Sequence, residues 1–338
     1  MSAQGLIDVH AHFTTPHYIE AAKAAGHVRP DGMPEAYWPR WTAEEHLAFM
    51  DEAGIATAML SLSSPGVHFG DDLAARRLSR EINEFCAQTV RDHPDRFGQF
   101  ATLPLPDVNG ALTELAYSFD DLGADGVALL SNHAGIRLAD ERLAPVLAEL
   151  DRRAAVVLLH PTTCPGHEAL SSGRPQPMIE FLFETARTVI DFILSGAAAR
   201  FSRIRLIVPH LGGVLPLLAE RVEAFRTISG EPPDRVTVTE TLGRFSYDLA
   251  GMPSKQQITA LAAIAAPDRL LYGSDYAWTR RDLALHLLTS LDATLADEHE
   301  TWRARTTHNA ESILSRSHPR PAERRMARES RVGQHGLL

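Results

Sequence analysis

Ile7-Asp8-Val9-His10-Ala11-His12-Phe13 reads as a strand that ends in chemistry. In an extended chain, residues two apart point to the same side. His10 and His12 therefore aim two imidazoles at one point. Such a pair can be two hydrogen-bonded core histidines or the beginning of a metal site. Three other segments weigh on the choice: Leu158-Leu159-His160-Pro161, Ile207-Val208-Pro209-His210-Leu211-Gly212-Gly213, and Leu271-Tyr272-Gly273-Ser274-Asp275-Tyr276. Each closes an apolar run with a histidine or an aspartate. Taken singly, His160 can bond a backbone carbonyl, and Asp275 can cap a helix or form a turn. Taken together, two more histidines and one aspartate can complete a divalent-metal site. A metal held by imidazole and carboxylate with one position open is suited to catalysis.

Working outward, eight short apolar runs read as strands: Leu6–Phe13, Thr57–Ser64, Phe97–Leu103, Gly126–Ser131, Val156–His160, Ile204–His210, Phe245–Leu249 and Leu270–Ser274. Helical patterns lie between them, over Thr42–Ala53, Asp72–Asp92, Asn109–Leu122, Leu143–Arg153, Met178–Ala199, Leu215–Ser229, Ser254–Ala265 and Arg281–Leu291. Thr42-Ala43-Glu44-Glu45 has the form of a capped, acidic helix start. The runs are nearly continuous in Val, Leu and Ile, as parallel strands covered on both faces require. Strand and helix alternating eight times predicts an α/β fold, a (β/α)8 TIM barrel. A doubly wound sheet fits less well, because no Gly-x-Gly-x-x-Gly follows the first strand. The polar residues fall at the ends of strands one, five, six and eight, where a barrel places its active site. The expected organisation is one barrel over residues 1–315. An Arg-rich tail follows over 316–338, with six Arg, two Glu and two Pro, and is expected to be disordered.

Bulk properties narrow the function. The chain has 338 residues, 44% hydrophobic and 22% charged, the composition of a soluble globular enzyme. A net charge of −10 argues against a nucleic-acid surface. Two cysteines cannot build a disulfide framework and suit a reducing compartment. No apolar run approaches the ~18 residues of a membrane span. No basic-then-apolar signal region precedes Leu6, so a cytoplasmic protein is expected.

These motifs resemble the amidohydrolase superfamily. The resemblance runs from about Leu6 to Leu314 and is carried by Asp8-Val9-His10-Ala11-His12-Phe13, Leu159-His160-Pro161, Pro209-His210-Leu211-Gly212-Gly213 and Tyr272-Gly273-Ser274-Asp275. Phe192–Phe201, followed by Arg205–His210, is similar to the branch holding aminocarboxymuconate-semialdehyde decarboxylase and the non-oxidative aromatic-acid decarboxylases. Met59–Phe69 looks most like the 6-methylsalicylate decarboxylase members of that branch. By position, the resemblance implies metal ligation by His10, His12, His160 and Asp275. His210 would then handle a proton or orient water, and Asp8 would support the site from behind. Binuclear members bridge their metals with a carboxylated lysine near the end of strand four. The two lysines here, Lys23 and Lys255, lie far from that strand, so one metal is expected. Its ligands suit Zn²⁺, with Mn²⁺ as second choice.

The implied reaction is loss of CO₂ from an aromatic, ortho-hydroxylated, salicylate-type acid, with Asp275 or His210 delivering the proton and no organic cofactor. The alternative is metal-dependent hydrolysis of a lactone or cyclic ester, which nearly the same ligands serve. A non-catalytic metal-binding role is the third reading. Phe13, Trp38, Trp41, Phe69 and Trp278 are candidates for an apolar wall, and Phe69 and Trp278 are assigned to substrate. Arg40 is assigned to a substrate carboxylate. Thr162–Pro177, which follows His160, is a lid candidate. Met178–Ala199 carries more large apolar groups than one stripe needs, so a homodimer is expected.

Overall fold

In the computed structural model, residues 5–232, 235–296 and 302–315 are described. The expected tail over 316–338 lies outside them. Eight parallel strands form one sheet in sequential order. They are β1 (Leu6–His12), β2 (Ile55–Ser61), β3 (Phe97–Ala101), β4 (Gly126–Leu130), β5 (Val156–His160), β6 (Arg205–Val208), β7 (Ser246–Asp248) and β8 (Leu270–Leu271). The sheet curls until β8 meets β1. Asp8 and Tyr272 form a parallel bridge there, and the Val9 amide donates to the Tyr272 carbonyl at 2.9 Å. The result is the expected (β/α)8 barrel.

Two apolar layers hold it. Outside, helices cover the strands: Asp72–Asp92 buries Leu78, Ile82 and Cys86, and Glu180–Leu194 buries Phe181, Val189 and Phe192. Inside, Ile7, Val9, Met59, Phe100, Leu158 and Ile207 fill the lower half of the barrel. Regular alternation from Ile7 and Val9 would send His10 outward. Pairing with β2 shifts register between Asp8 and Ala11, and this irregularity brings the histidines into the upper interior.

Several strands stop earlier than their apolar runs suggest, and two of these, β6 and β8, shape the site. β6 ends at Val208 because Pro209 has no N–H to donate. His210 and Leu211 then adopt φ of 54° and 55°, which turns the chain away. β8 ends at Leu271, and Asp275 has φ 58°. A Cβ on Gly273 would lie 2.7 Å from that of His10, so only glycine lets this segment pass so close to β1. Met178–Ala199 divides into helices Glu180–Leu194 and Ala197–Arg200 at Gly196, whose φ is 81°. Thr42 caps helix Ala43–Ala53 through the Glu45 amide, as the sequence predicts.

Helix Trp302–Leu314 closes the bottom of the barrel and was absent from the sequence pattern. It puts Ala310 into the interior cluster, packs Ile313 and Leu314 against it, and adds a set of polar ties. Asn309 Nδ2 donates to the Pro267 and Leu270 carbonyls, both at 2.9 Å, and Thr307 Oγ1 to the Gly5 carbonyl. Arg205 binds the Ile313 and Ser315 carbonyls at its far end. Among the described residues, no helix is long and apolar enough to cross a membrane.

Replacing Asn309 by Ala strands two carbonyls and should lower stability by about 1–3 kcal/mol. The expected result is a lower urea midpoint with an unchanged slope; an unshifted midpoint would show that the helix is not needed for closure.

Candidate active site

The upper ends of β1, β5, β6 and β8 converge. The His10 and His12 rings lie 4.8 Å apart, and His160 stands 5.3 and 4.9 Å from them. The ligand atoms of His10, His12, His160 and Asp275 all lie within 4.8 Å of one another. Asp275 Oδ1 is 3.3 Å from His12 Nε2 and 3.7 Å from His10 Nε2. Its Oδ2 is 3.7 Å from His210 Nε2.

Each of the three ring systems is oriented from behind. His10 Nδ1 donates to Asp248 Oδ2 at 2.8 Å. His12 Nδ1 faces the Ser61 carbonyl and hydroxyl at 3.3 and 3.0 Å, and His160 Nδ1 donates to the Pro161 carbonyl at 2.7 Å. Carboxylate and carbonyl can only accept, so the proton sits on Nδ1 and Nε2 is turned toward the centre. Such rear contacts fix tautomer and aim in metal sites. The Nε2 atoms of His10 and His12 are buried with no hydrogen-bond partner, an arrangement that burial penalises unless a cation completes it. These donors therefore fit a divalent metal. No pairing of a lysine with them is seen among the described residues.

Charge follows from the packing. Burial alone would push His10 down, but the facing Asp248 carboxylate outweighs it and raises its pKa to about 9. Burial lowers His12, and it carries His160 well below its ordinary value. Burial pushes Asp275 up, yet contacts with His12 and His210 and the charge of His10 leave it well below the carboxylate range. Asp8 sits beneath the site, accepting the His10 and Ser274 amides on Oδ1 at 3.0 Å each. Burial raises its pKa to about 7.

Asp248 escaped the sequence reading. Besides His10, its carboxylate accepts the His210 and Ala250 amides at 2.9 and 3.1 Å. The available signal was one acid next to the last residue of the seventh predicted strand, at the same end as the other polar residues.

Above the centre opens a cavity of about 620 Å³, onto which His160, His210 and Asp275 face. Met33, Phe181, Leu211, Met252 and Trp278 supply apolar wall. Trp278 thus lies where the sequence reading put it. Phe69 and Arg40 are not among the lining residues: Phe69 packs against His27 at 5.3 Å, and Arg40 borders a separate surface depression with Lys23, Glu35 and Arg281. Phe13 and Trp41 meet edge to face in the outer core at 5.8 Å, and Trp38 backs Trp278 at 5.5 Å. From the lid candidate, Pro177 reaches the cavity.

A barrel with three imidazoles and one carboxylate gathered at the ends of its strands defines a metal-dependent class of enzyme. The chain belongs to the Amidohydrolase family, whose model matches residues 7–315. It is 36% identical to a decarboxylase of Aspergillus niger over 80% of this chain and 77% of that one. It is 37% identical to a 6-methylsalicylic acid decarboxylase of Aspergillus aculeatus, over 82% and 85% of the two chains. A crystal structure of 2,6-dihydroxybenzoate decarboxylase complexed with 2,6-dihydroxybenzoate superposes with a TM-score of 0.80 at 25% identity, covering 92% of this chain and 99% of that one.

Two outcomes test the centre. Asp248→Asn should weaken metal affinity by about 10–100-fold in a chelator competition while the far-ultraviolet circular dichroism is unchanged. Because His10 titrates at about 9, it holds a proton at pH 7.5 that a metal must displace, whereas the lowered His12 and His160 have none to lose. Calorimetry in buffers of different ionisation enthalpy should therefore record close to one proton released per metal at pH 7.5, fading as pH rises through 9. Release that does not vary with pH would refute this assignment.

Proposed function

We propose that this protein is a metal-dependent decarboxylase that removes CO₂, without an oxidant, from an aromatic acid bearing an ortho hydroxyl. The observation that carries this reading is the pair of buried, partnerless Nε2 atoms facing Asp275 on the floor of an apolar cavity. The matched relatives, decarboxylases by name over most of their length, favour it over lactone hydrolysis. Nothing in the geometry favours hydrolysis specifically.

His10, His12, His160 and Asp275 would hold the ion, with Zn²⁺ the first choice and Mn²⁺ the second on ligand type. When bound, it supplies Lewis-acid neutralisation of the carboxylate and the neighbouring phenolate. The chain's own residues do the rest. Trp278, Phe181 and Leu211 offer faces and edges for a flat ring and keep water scarce. Asp275 begins ionised, so it can take the phenolic proton as substrate binds. His210, 3.7 Å away, is its relay or the direct donor. A proton added to the ring carbon that bears the carboxylate interrupts aromaticity. Cleavage of the bond to the carboxyl carbon then releases CO₂ and returns the electron pair to the ring. One proton enters and one CO₂ leaves, so no redox partner or organic cofactor is required.

We also propose a cytoplasmic homodimer. Helix Glu180–Leu194 leaves Phe183 39% exposed near exposed Ile179 at its start and Leu194 47% exposed at its end, apolar surface that a second copy would cover. Cys86 and Cys164 are both free, as in a reducing compartment.

The test is metal-loaded enzyme with a panel of 2-hydroxybenzoates, 6-methylsalicylate included, following ring absorbance and CO₂ together. Stoichiometric CO₂ is expected, falling to background in His12→Ala. His210→Gln should lower kcat by about 10²–10⁴-fold. Absence of CO₂ from every acid would overturn the reading.

A further inference from the structure

Asp31 lies on a tight turn in the segment that follows helix Pro16–Ala24, with φ 44°. Its Oδ1 accepts hydrogen bonds from Ser64 Oγ at 2.8 Å and Thr163 Oγ1 at 2.6 Å. Ser64 Oγ in turn lies 2.7 Å from Thr162 Oγ1. Since Ser64 gives its hydrogen to Asp31, Thr162 donates to Ser64. These hydroxyls sit on the loops leaving β2 and β5, and the second of those loops begins at His160. Asp31 itself lines the cavity shared by His160, His210 and Asp275, and is the only carboxyl besides Asp275 among the lining residues.

Holding two loops together does not require an acid there. A carboxyl in a largely apolar cavity carries a desolvation cost, and an ionised one repels an anionic substrate. Burial pushes the Asp31 pKa up. Oδ1 takes both hydroxyl hydrogens and the Thr163 backbone also bonds the carboxyl, whereas Oδ2 accepts from no side chain among the described residues. Its chemistry is that of a polar contact placed to meet a ligand in an apolar site. A hydroxyl answers it in either protonation state: it donates to the ionised acid and accepts from the protonated one. A methyl group in the same place does neither and leaves Oδ2 unsatisfied.

We propose that Asp31 is a specificity-determining residue that recognises a second ring hydroxyl, so that the enzyme takes dihydroxylated aromatic acids in preference to their methyl counterparts. This rests on the substrate class assigned to the same site above.

The experiment uses the full chain loaded with Zn²⁺. Binding is read by quenching of tryptophan fluorescence, since Trp278 lies in the cavity, and turnover by CO₂. The ligands are the 2,3-, 2,4-, 2,5- and 2,6-dihydroxybenzoates, each beside the 2-hydroxybenzoate with methyl in place of the second hydroxyl. At least one dihydroxy acid should bind about tenfold or more tightly than its methyl partner. Asp31→Gly, which keeps the positive φ without strain, should bring that ratio close to one. Asp31→Asn, which still accepts from Ser64 and Thr163, should keep an intermediate ratio. A wild-type ratio near one at every position overturns the proposal. So does a glycine variant that loses affinity equally for both members of a pair, for then Asp31 only joins loops. Melting temperatures separate either result from unfolding. CO₂ production with a flat binding ratio removes this assignment alone. A ratio that collapses in Asp31→Gly without CO₂ from any acid removes the decarboxylase reading and leaves the recognition role standing.

Discussion

The seam between β1 and β8 is the constraint on which the site depends. β8 is two residues long, and regular pairing alone gives little to close a barrel. The Asp8 carboxylate completes the join by taking an amide from each side, His10 on one and Ser274 on the other. The Asp275 amide then donates to the His10 carbonyl at 2.8 Å. These bonds set the separation between the imidazoles of the first strand and the carboxylate of the last. Without Asp8, the backbone bonds from Val9 to Tyr272 and from Asp275 to His10 would remain, but the Ser274 amide beside them would lose its tie to the first strand.

Asp248 adds a second level of order. One of its oxygens holds the His10 ring and the other holds the His210 amide, so a single buried carboxylate couples two functional histidines from different strands. Its negative charge is kept in place by the imidazolium of His10, which overcomes the burial that would otherwise protonate it. The pair thus trades charge for geometry: burial disfavours each member alone and favours them together. The apolar cavity above has the opposite character, with shape and few polar contacts.

Much of this was legible in the sequence, and what was not has physical causes. Strands were visible because their apolar runs are continuous, and the site was visible because four of those runs stop at His or Asp. Alternation placed His10 beside His12. It could not reveal the register shift below them, which exists only in the pairing with β2. Asp248 and Asp31 read locally as a strand-end acid and a Pro-Asp-Gly turn, and their partners lie far away in sequence. Helix Trp302–Leu314 was missed because its buried face mixes Trp302 and Ala310 with the polar Thr306, Thr307 and Asn309, so it shows no apolar stripe. Arg40 and Phe69 were placed by sequence proximity to strand ends, but the loops carry them away from the cavity.

The closing helix has a consequence for how the chain is born. β1 leaves the ribosome early, carrying His10 and His12, yet its interior neighbours include Leu271 and Ala310, made near the end of the described chain. Until they emerge, the first strand has an open edge and two histidines free to bind stray copper or nickel. Contacts between such distant segments are slow to form. The molecule therefore spends much of its synthesis with the strand that carries His10 and His12 lacking its partners from the far end of the barrel.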